Sequence, residues 1–185
     1  MTAAAPGAAP ADAARASACA TAGATACATA CATITRLYAA LAALDGAAMQ
    51  ACYAPDAEFD DEAFSLRGAA QIGGMWRMLC EATQAKGRDV WRVEASQITA
   101  QSAHWEAHYR FSATGRLVHN SIDASFEIGA DGLIRRQRDR FNFWRWARQA
   151  LGPPGLLLGW TGFLRRKVRL QAAANLAKFM AGNKT

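Results

Sequence analysis

The apolar residues of this chain recur every three or four positions up to Cys80 and every second position from Val90 onward, and that change of period dictates a mixed fold. Ile34, Leu37, Tyr38, Leu41 and Leu44 fall on one face of a helix that ends at Asp45-Gly46. A second short helix, residues 47–53, carries Met49 and Cys52 inward and breaks where Pro55 biases Ala54 away from helical geometry. Residues 57–61 and 63–67 read as two short strands around a tight connection. Gly68 then opens a third helix through Ile72, Met75, Trp76, Leu79 and Cys80.

Four longer strands follow, over residues 90–98, 102–113, 117–128 and 133 to about 144. Thr114-Gly115 and Asp131-Gly132 supply hairpin turns, and short turns make successive strands antiparallel neighbours. The expected architecture is α+β, a strongly bent antiparallel sheet with the helices on one face. Beyond it, Trp146 to Leu151 continues as helix until Gly152-Pro153-Pro154-Gly155. Residues 156–170 and 171–180 carry further apolar positions between arginines. They could cover a sheet edge, close a pocket mouth or lie on a membrane surface.

Residues 1–32 are Ala, Thr, Cys, Gly and Pro with two charges, Asp12 and Arg15, and read as a disordered leader with room for transient helix. Residues 33–150 make one domain, and residues 151–185 a basic helical extension. The 185 residues suffice for a sizeable core, and the 52% apolar content is inflated by leader alanines. No apolar run is expected to reach membrane-span length, and no signal peptide is evident, so the cytoplasm is the expected compartment. The net charge of +6 is unevenly spread: residues 1–132 sum to −5 and residues 133–185 to +11. Such a tail attracts anions, although arginines that merely solvate a strand and helices give the same count.

Cys19, Cys27, Cys31, Cys52 and Cys80 form no CxxC, and three lie in the leader away from any histidine, so neither a disulfide framework nor a metal site is expected. There is no phosphate loop, dinucleotide fingerprint, nucleophile elbow or HExxH, and no cofactor is expected.

The helix at Thr35 to Asp45 followed by Cys52-Tyr-Ala-Pro-Asp-Ala-Glu-Phe-Asp-Asp61 resembles the opening of the NTF2-like superfamily. That group includes SnoaL-like polyketide cyclases, ketosteroid isomerases and limonene-epoxide hydrolases. Asp131-Gly-Leu-Ile134 with Arg138-Asp-Arg-Phe-Asn142 resembles its closing strand. The resemblance covers about residues 33–150, and the 143–152 and 159–164 stretches look like a bacterial SnoaL-like branch. It implies a cone-shaped pocket formed by the curled sheet and closed by helices, and a homodimer through the outer face of the sheet. Asp139 falls where the hydrolases and several cyclases place a catalytic carboxylate. Glu106 and His108 fall on the strand where the hydrolases keep an Arg-x-Asp pair, but differ in type. Asp61 falls near the isomerases' general base. Their oxyanion tyrosine aligns with Leu37, leaving Tyr38 about a hundred degrees out of register on a helix.

Asp139 is the leading candidate. It shares strand parity with Arg135, Gln137, Phe141 and Phe143, and an acid beside aromatic walls has its neutral form favoured. A salt bridge to an arginine fits the same pattern. His104, Glu106 and His108 form a polar stripe spanning about 13 Å, too long for all three to ligate one ion. The comparison with the superfamily turns this stripe inward, with His108 or Glu106 partnering Asp139. The opposite assignment would place Trp105, Tyr109 and Phe111 in the pocket, since a one-residue error reverses every face. Phe141, Phe143, Trp76, Tyr38 and Arg110 complete the expected ligand-binding wall. Asp60, Asp61 and Glu62 form an acidic corner that is either a solvated turn or reaches the pocket mouth. His119 and Asp123 share one strand face.

The function expected is binding of a small hydrophobic, carbonyl- or hydroxyl-bearing molecule, with proton transfer of the isomerase, cyclase or dehydratase kind by general acid–base chemistry. The alternative is a non-enzymatic module whose basic C-terminal helices dock on an anionic membrane or a partner. Nucleic acid is not an expected partner, because no stacking platform accompanies the arginines.

Overall fold

The computed structural model describes residues 10–182, with side chains from Gly23 onward. The order is α1 (Pro10–Ala43), α2 (Gly46–Gln50), β1 (Tyr53–Asp60), β2 (Ser65–Arg67), α3 (Ala69–Lys86), β3 (Arg92–Ser96), β4 (Ser102–Arg110), β5 (Leu117–Ile128), β6 (Ile134–Phe141), α4 (Phe143–Leu151), α5 (Pro153–Leu158) and α6 (Gly162–Gly182). The expected α+β plan holds. The six strands form one curved, open sheet in the order β2-β1-β6-β5-β4-β3. Its neighbours pair antiparallel except β1 and β6, which run parallel and are joined by the long connection through β2, α3 and β3 to β5.

Leader residues 1–9 lie outside the described residues. From Pro10 the leader is helical and continuous with α1, and Ala30 and Thr33 are buried. Alanine favours helix strongly enough to carry the element back from its packed end. Thr33 donates from Oγ1 to the carbonyl of Gly132 at 2.8 Å, which fixes α1 to the Asp131-Gly132 turn. The stretch Gly23–Ala43 is long and apolar enough to cross a membrane, contrary to the expectation that no run reaches that length. In this fold its apolar face is given to the core: Ile34, Leu37, Tyr38, Leu41 and Leu44 are all buried.

Leu44 takes a left-handed φ of 60°, and Asp45 then caps α2 by accepting the backbone N–H groups of Ala47 and Ala48. The strand at β6 ends at Phe141, earlier than the alternation suggested. Asn142 accepts the N–H of Arg145 at 2.9 Å and so starts α4 two residues later, in place of strand continuing to about Trp144. Gly152, at φ 70°, ends α4, yet Pro153 opens α5 rather than a loop, since proline suits the first helical position. A methyl group on Gly155 would lie 1.9 Å from the Ala147 carbonyl, so α5 crosses α4 nearly in backbone contact.

Two apolar clusters result. The larger joins α1, α2 and α3 to the concave face of the sheet through Ile34, Leu37, Met49, Phe59, Ile72, Met75, Ile122 and Ile134. The smaller gathers Val118, Phe143, Trp146, Ala147, Ala150 and Leu164 under the C-terminal helices.

Candidate functional site

Strand alternation would put Ile134 and Asp139 on opposite faces, because they are five residues apart. Both are buried on the concave face. The ladder resolves this with a bulge. Ile128 pairs with Ile134 and Glu127 with Arg136, leaving Arg135 without an opposite residue on β5. The sequence expectation that Arg135 shares the inward parity of Asp139 is therefore corrected: Arg135 is exposed and pairs with Asp56 and Asp131. Past the bulge, Gln137 and Asp139 point inward while Arg136, Arg138 and Arg140 point out.

No arginine holds Asp139 among the described residues. Its carboxylate oxygen Oδ1 accepts from Nε2 of Gln137 at 2.8 Å. Gln137 Oε1 accepts the hydroxyl of Tyr53 at 2.6 Å, and Tyr53 Oη accepts the indole N–H of Trp76 at 3.1 Å. A buried chain, Trp76 to Tyr53 to Gln137 to Asp139, thus fixes one oxygen of the acid. Such a chain fixes the tyrosine and glutamine donors as well as the acid they serve. Burial pushes the Asp139 carboxyl up to about 8; the Gln137 hydrogen bond opposes this and the charge of Asp61 adds to it.

Asp139 opens onto a cavity of about 210 Å³ between the sheet and the helices, whose wall is mostly apolar. Phe59, Met75, Trp76, Trp105, Tyr109, Phe141 and Trp146 line it, with Arg110 and Asn120 among its polar groups. Asp61 lines it too. This acid follows β1, and its Oδ1 accepts the N–H groups of Ala63 and Phe64 at 2.6 and 2.5 Å, which shapes the turn into β2. Burial raises the Asp61 carboxyl to about 6, against the lowering effect of those two N–H groups and of Arg169. Two acids of the chain therefore face one low-dielectric space.

Of the residues expected from sequence, the cavity brings together Asp139, Asp61, Phe141, Trp76 and Arg110. Tyr38 does not line it. It packs against Trp105 and Phe126 with ring centroids 5.7 and 6.4 Å away, and burial raises its hydroxyl well above the ordinary value. Phe143 belongs to the smaller cluster, because Asn142 has already turned the chain into α4. Glu106 and His108 do not face the cavity. On β4 the buried residues are Ala103, Trp105 and Ala107, so the polar stripe is turned outward and the aromatic face inward. The apolar face follows burial, which decides between the two assignments the alternation left open.

Tyr53 and Arg169 carry no sequence signal for this site, and Gln137 shows only its strand parity with Asp139. The sequence pattern puts Tyr53 at the end of a helix, and a lone glutamine in an arginine-rich strand carries no pattern of its own. Arg169 donates to the carbonyls of Asp61 and Phe64 at 2.8 and 3.3 Å, a contact over more than a hundred residues that no local signal announces.

Solved structures share this fold. An LEH-like epoxide hydrolase of Mycobacterium tuberculosis superposes with a TM-score of 0.52 at 19% identity, covering 71% of this chain and 94% of its own. A protein of Bacillus subtilis provisionally named an isomerase gives 0.51 at 18%, covering 67% and 93%. A protein of Silicibacter sp. provisionally named a polyketide cyclase gives 0.50 at 20%, covering 63% and 91%. At these identities the likeness is one of fold. No curated protein matches the chain by sequence. Residues 34–137, which run from the first core residue of α1 to the glutamine beside Asp139, match the SnoaL-like domain, and the chain belongs to that family.

Proposed function

We propose that the chain binds a small hydrophobic molecule carrying a carbonyl or hydroxyl group and moves a proton within it. The observation that carries this reading is Asp139, a buried acid tied by a single glutamine and open to an apolar cavity shared with Asp61. With one carboxyl near 6 and the other near 8, the two acids hold different protonation states between those values. Asp61 is then mostly the base and Asp139 mostly the acid, the division of labour that proton relocation near neutral pH needs. As the acids interact, the two values belong to the pair. The buried Trp105 Nε1 and Tyr38 hydroxyl have no partner among the described residues, and Trp105 lines the cavity, so its N–H is a donor for a ligand oxygen. The cyclase, isomerase and hydrolase names among the structural relatives agree with this class of chemistry. The four cysteines whose side chains are described are free thiols, two of them buried, which agrees with a reducing compartment such as the cytoplasm.

The test is a panel of apolar ketones, enones and epoxides, with wild type compared to Asp139→Asn. A ligand whose turnover falls at least a hundredfold in the variant with retained binding supports the reading. If every ligand recognised by wild type is bound and processed equally by the variant, proton transfer by Asp139 is ruled out. The reading includes a homodimer, tested by sedimentation equilibrium.

A second reading rests on the C-terminal extension. Leu157, Trp160 and Phe163 are 69%, 76% and 68% exposed, and Arg165, Arg166 and Lys167 follow directly. Exposed aromatic and aliphatic side chains next to a basic run fit the interface of an anionic bilayer. Trp160→Ser/Phe163→Ser should lose sedimentation with phosphatidylserine-containing vesicles; equal binding of the variant and wild type excludes a membrane contact at these residues.

A further inference from the structure

We propose that the convex face of the sheet holds a divalent transition-metal ion of the zinc class, ligated by Glu106, His108 and His119.

The chain has three histidines, and all three lie on this outer face of β4 and β5. The distance that prevents His104, Glu106 and His108 from sharing an ion applies along one strand; across strands the geometry differs. His108 is the register partner of His119, and their rings stack with centroids 4.1 Å apart and planes within 11°. Directly opposed residues of an antiparallel pair bring their side chains together. Glu106, two residues before His108 on the same face, reaches diagonally to His119, with Oε2 3.0 Å from Nε2. One ligand atom from each of Glu106, His108 and His119 lies within 4.8 Å of the others; because the two rings stack nearly parallel, one imidazole tilts about its side-chain bonds to bring all three donors onto one ion.

The surroundings suit a cation. Oε1 of Glu106 lies 3.7 Å from Nε2 of His104, whose Nδ1 is 2.8 Å from Oδ1 of Asp123. This line of carboxylate, imidazole and carboxylate sets a hydrogen-bonded imidazole beside Glu106 at ion-pair distance, although no outer hydrogen bond among the described residues fixes the glutamate. Arg92, the partner of His108 on β3, is folded onto Glu94 rather than left facing the cluster. On the far side of β5, Arg140 pairs with Asp123 in register. Two imidazole nitrogens and one carboxylate oxygen are a borderline donor set that selects zinc and its neighbours over calcium or magnesium. Three protein ligands on a face exposed in the single chain leave further coordination positions for water, a small anion or a side chain of a second protomer. The site is on the opposite face of the sheet from Asp139, so it stands or falls independently of the cavity.

The experiment is calorimetric titration of the full chain with zinc, alongside the absorption spectrum of its cobalt complex. His108→Ala, His119→Ala and Glu106→Gln are compared with wild type, as is Cys27→Ser/Cys31→Ser, because those thiols offer a competing soft site. The expected result is one zinc ion per chain, a loss of at least tenfold in affinity for either histidine variant, and little change for the serine variant. The cobalt complex should show no thiolate-to-metal charge-transfer band. Zinc affinity unchanged in His108→Ala and His119→Ala, loss of binding only in the serine variant, or no binding by wild type would each overturn the proposal. The substituted side chains are solvent-facing, and circular dichroism checks that each variant folds.

Discussion

The guanidinium of Arg169 on α6 donates to the backbone carbonyl of Asp61 at 2.8 Å, joining the C-terminal extension to one of the two cavity acids. A second tie lies beside it, from Arg165 to Glu62 at 3.3 Å. The extension is thus part of the wall that holds the β1–β2 turn, although its sequence reads as an appendage.

Removing that tie should change the acid. Arg169 lowers the Asp61 carboxyl, so Arg169→Ala should raise its apparent value and move the acidic limb of any pH–rate or pH–binding profile upward. The side chain is exposed, and the cost to stability should stay within about 1 kcal/mol. Carbon-13 NMR titration of the Asp61 carboxyl reads the shift directly, and an unmoved titration would show that the contact is only structural.

Asp139 should make the protein less stable as pH rises. Its folded value of about 8 lies above the ordinary carboxyl value near ~3.9. The folded chain therefore keeps a proton that the unfolded chain has released between those limits. The stabilisation is complete below the lower limit and is lost progressively up to the upper one, at no more than about 1.4 kcal/mol per pH unit. Asp139→Asn has no such proton to lose. From pH 6 to 8, where Asp61 contributes little further slope, chemical denaturation should show wild type weakening relative to the variant by on the order of 2 kcal/mol.

Tyr53→Phe should cost about 1–3 kcal/mol, because it leaves the indole N–H of Trp76 and the Gln137 carbonyl oxygen buried without their partner. With Tyr53 gone, nothing prevents the Gln137 amide from turning its oxygen toward Asp139, which disfavours the carboxylate. The Asp139 titration should then move higher, a change that lost packing alone does not produce.

Asn142→Ala should cost about 1 kcal/mol through loss of the cap on α4. Because α4 places Trp146 against the cavity, ligand affinity should fall with it. Thermal melts and ligand titrations of the same variant measure both effects.

The periodicity of the sequence was enough to recover the order of the elements, because a period of 3.6 or 2 survives in the apolar residues themselves. It failed where one residue outweighed the pattern. Asn142 ended β6 early and took Phe143 out of the cavity, and Arg135 broke the alternation that seemed to run unbroken to Asp139. Asp139 is visible as an acid beside apolar side chains, and Asp61 only through its acidic corner and the family resemblance. The orientation of β4 is not, since Trp105 and Tyr109 alternate with Glu106 and His108 and either set could face the helices on pattern alone. Packing decides it: the large aromatic faces fill the space under α1 and α3, and the charged stripe keeps its water.

The bulge at Arg135 has a consequence for how this strand tolerates changes of length. It sits between two fixed points, the turn at Gly132 tied to Thr33 and the acid tied to Gln137. Deleting Arg135 would leave Ile134, Gln137 and Asp139 in plain alternation, all still turned toward the helices, at the loss of the ion pairs to Asp56 and Asp131. Inserting one residue after Arg136 would instead rotate Gln137 and Asp139 out to solvent and present arginines to the cavity. The strand has slack in one direction only, so insertions and deletions at neighbouring codons should have opposite fates.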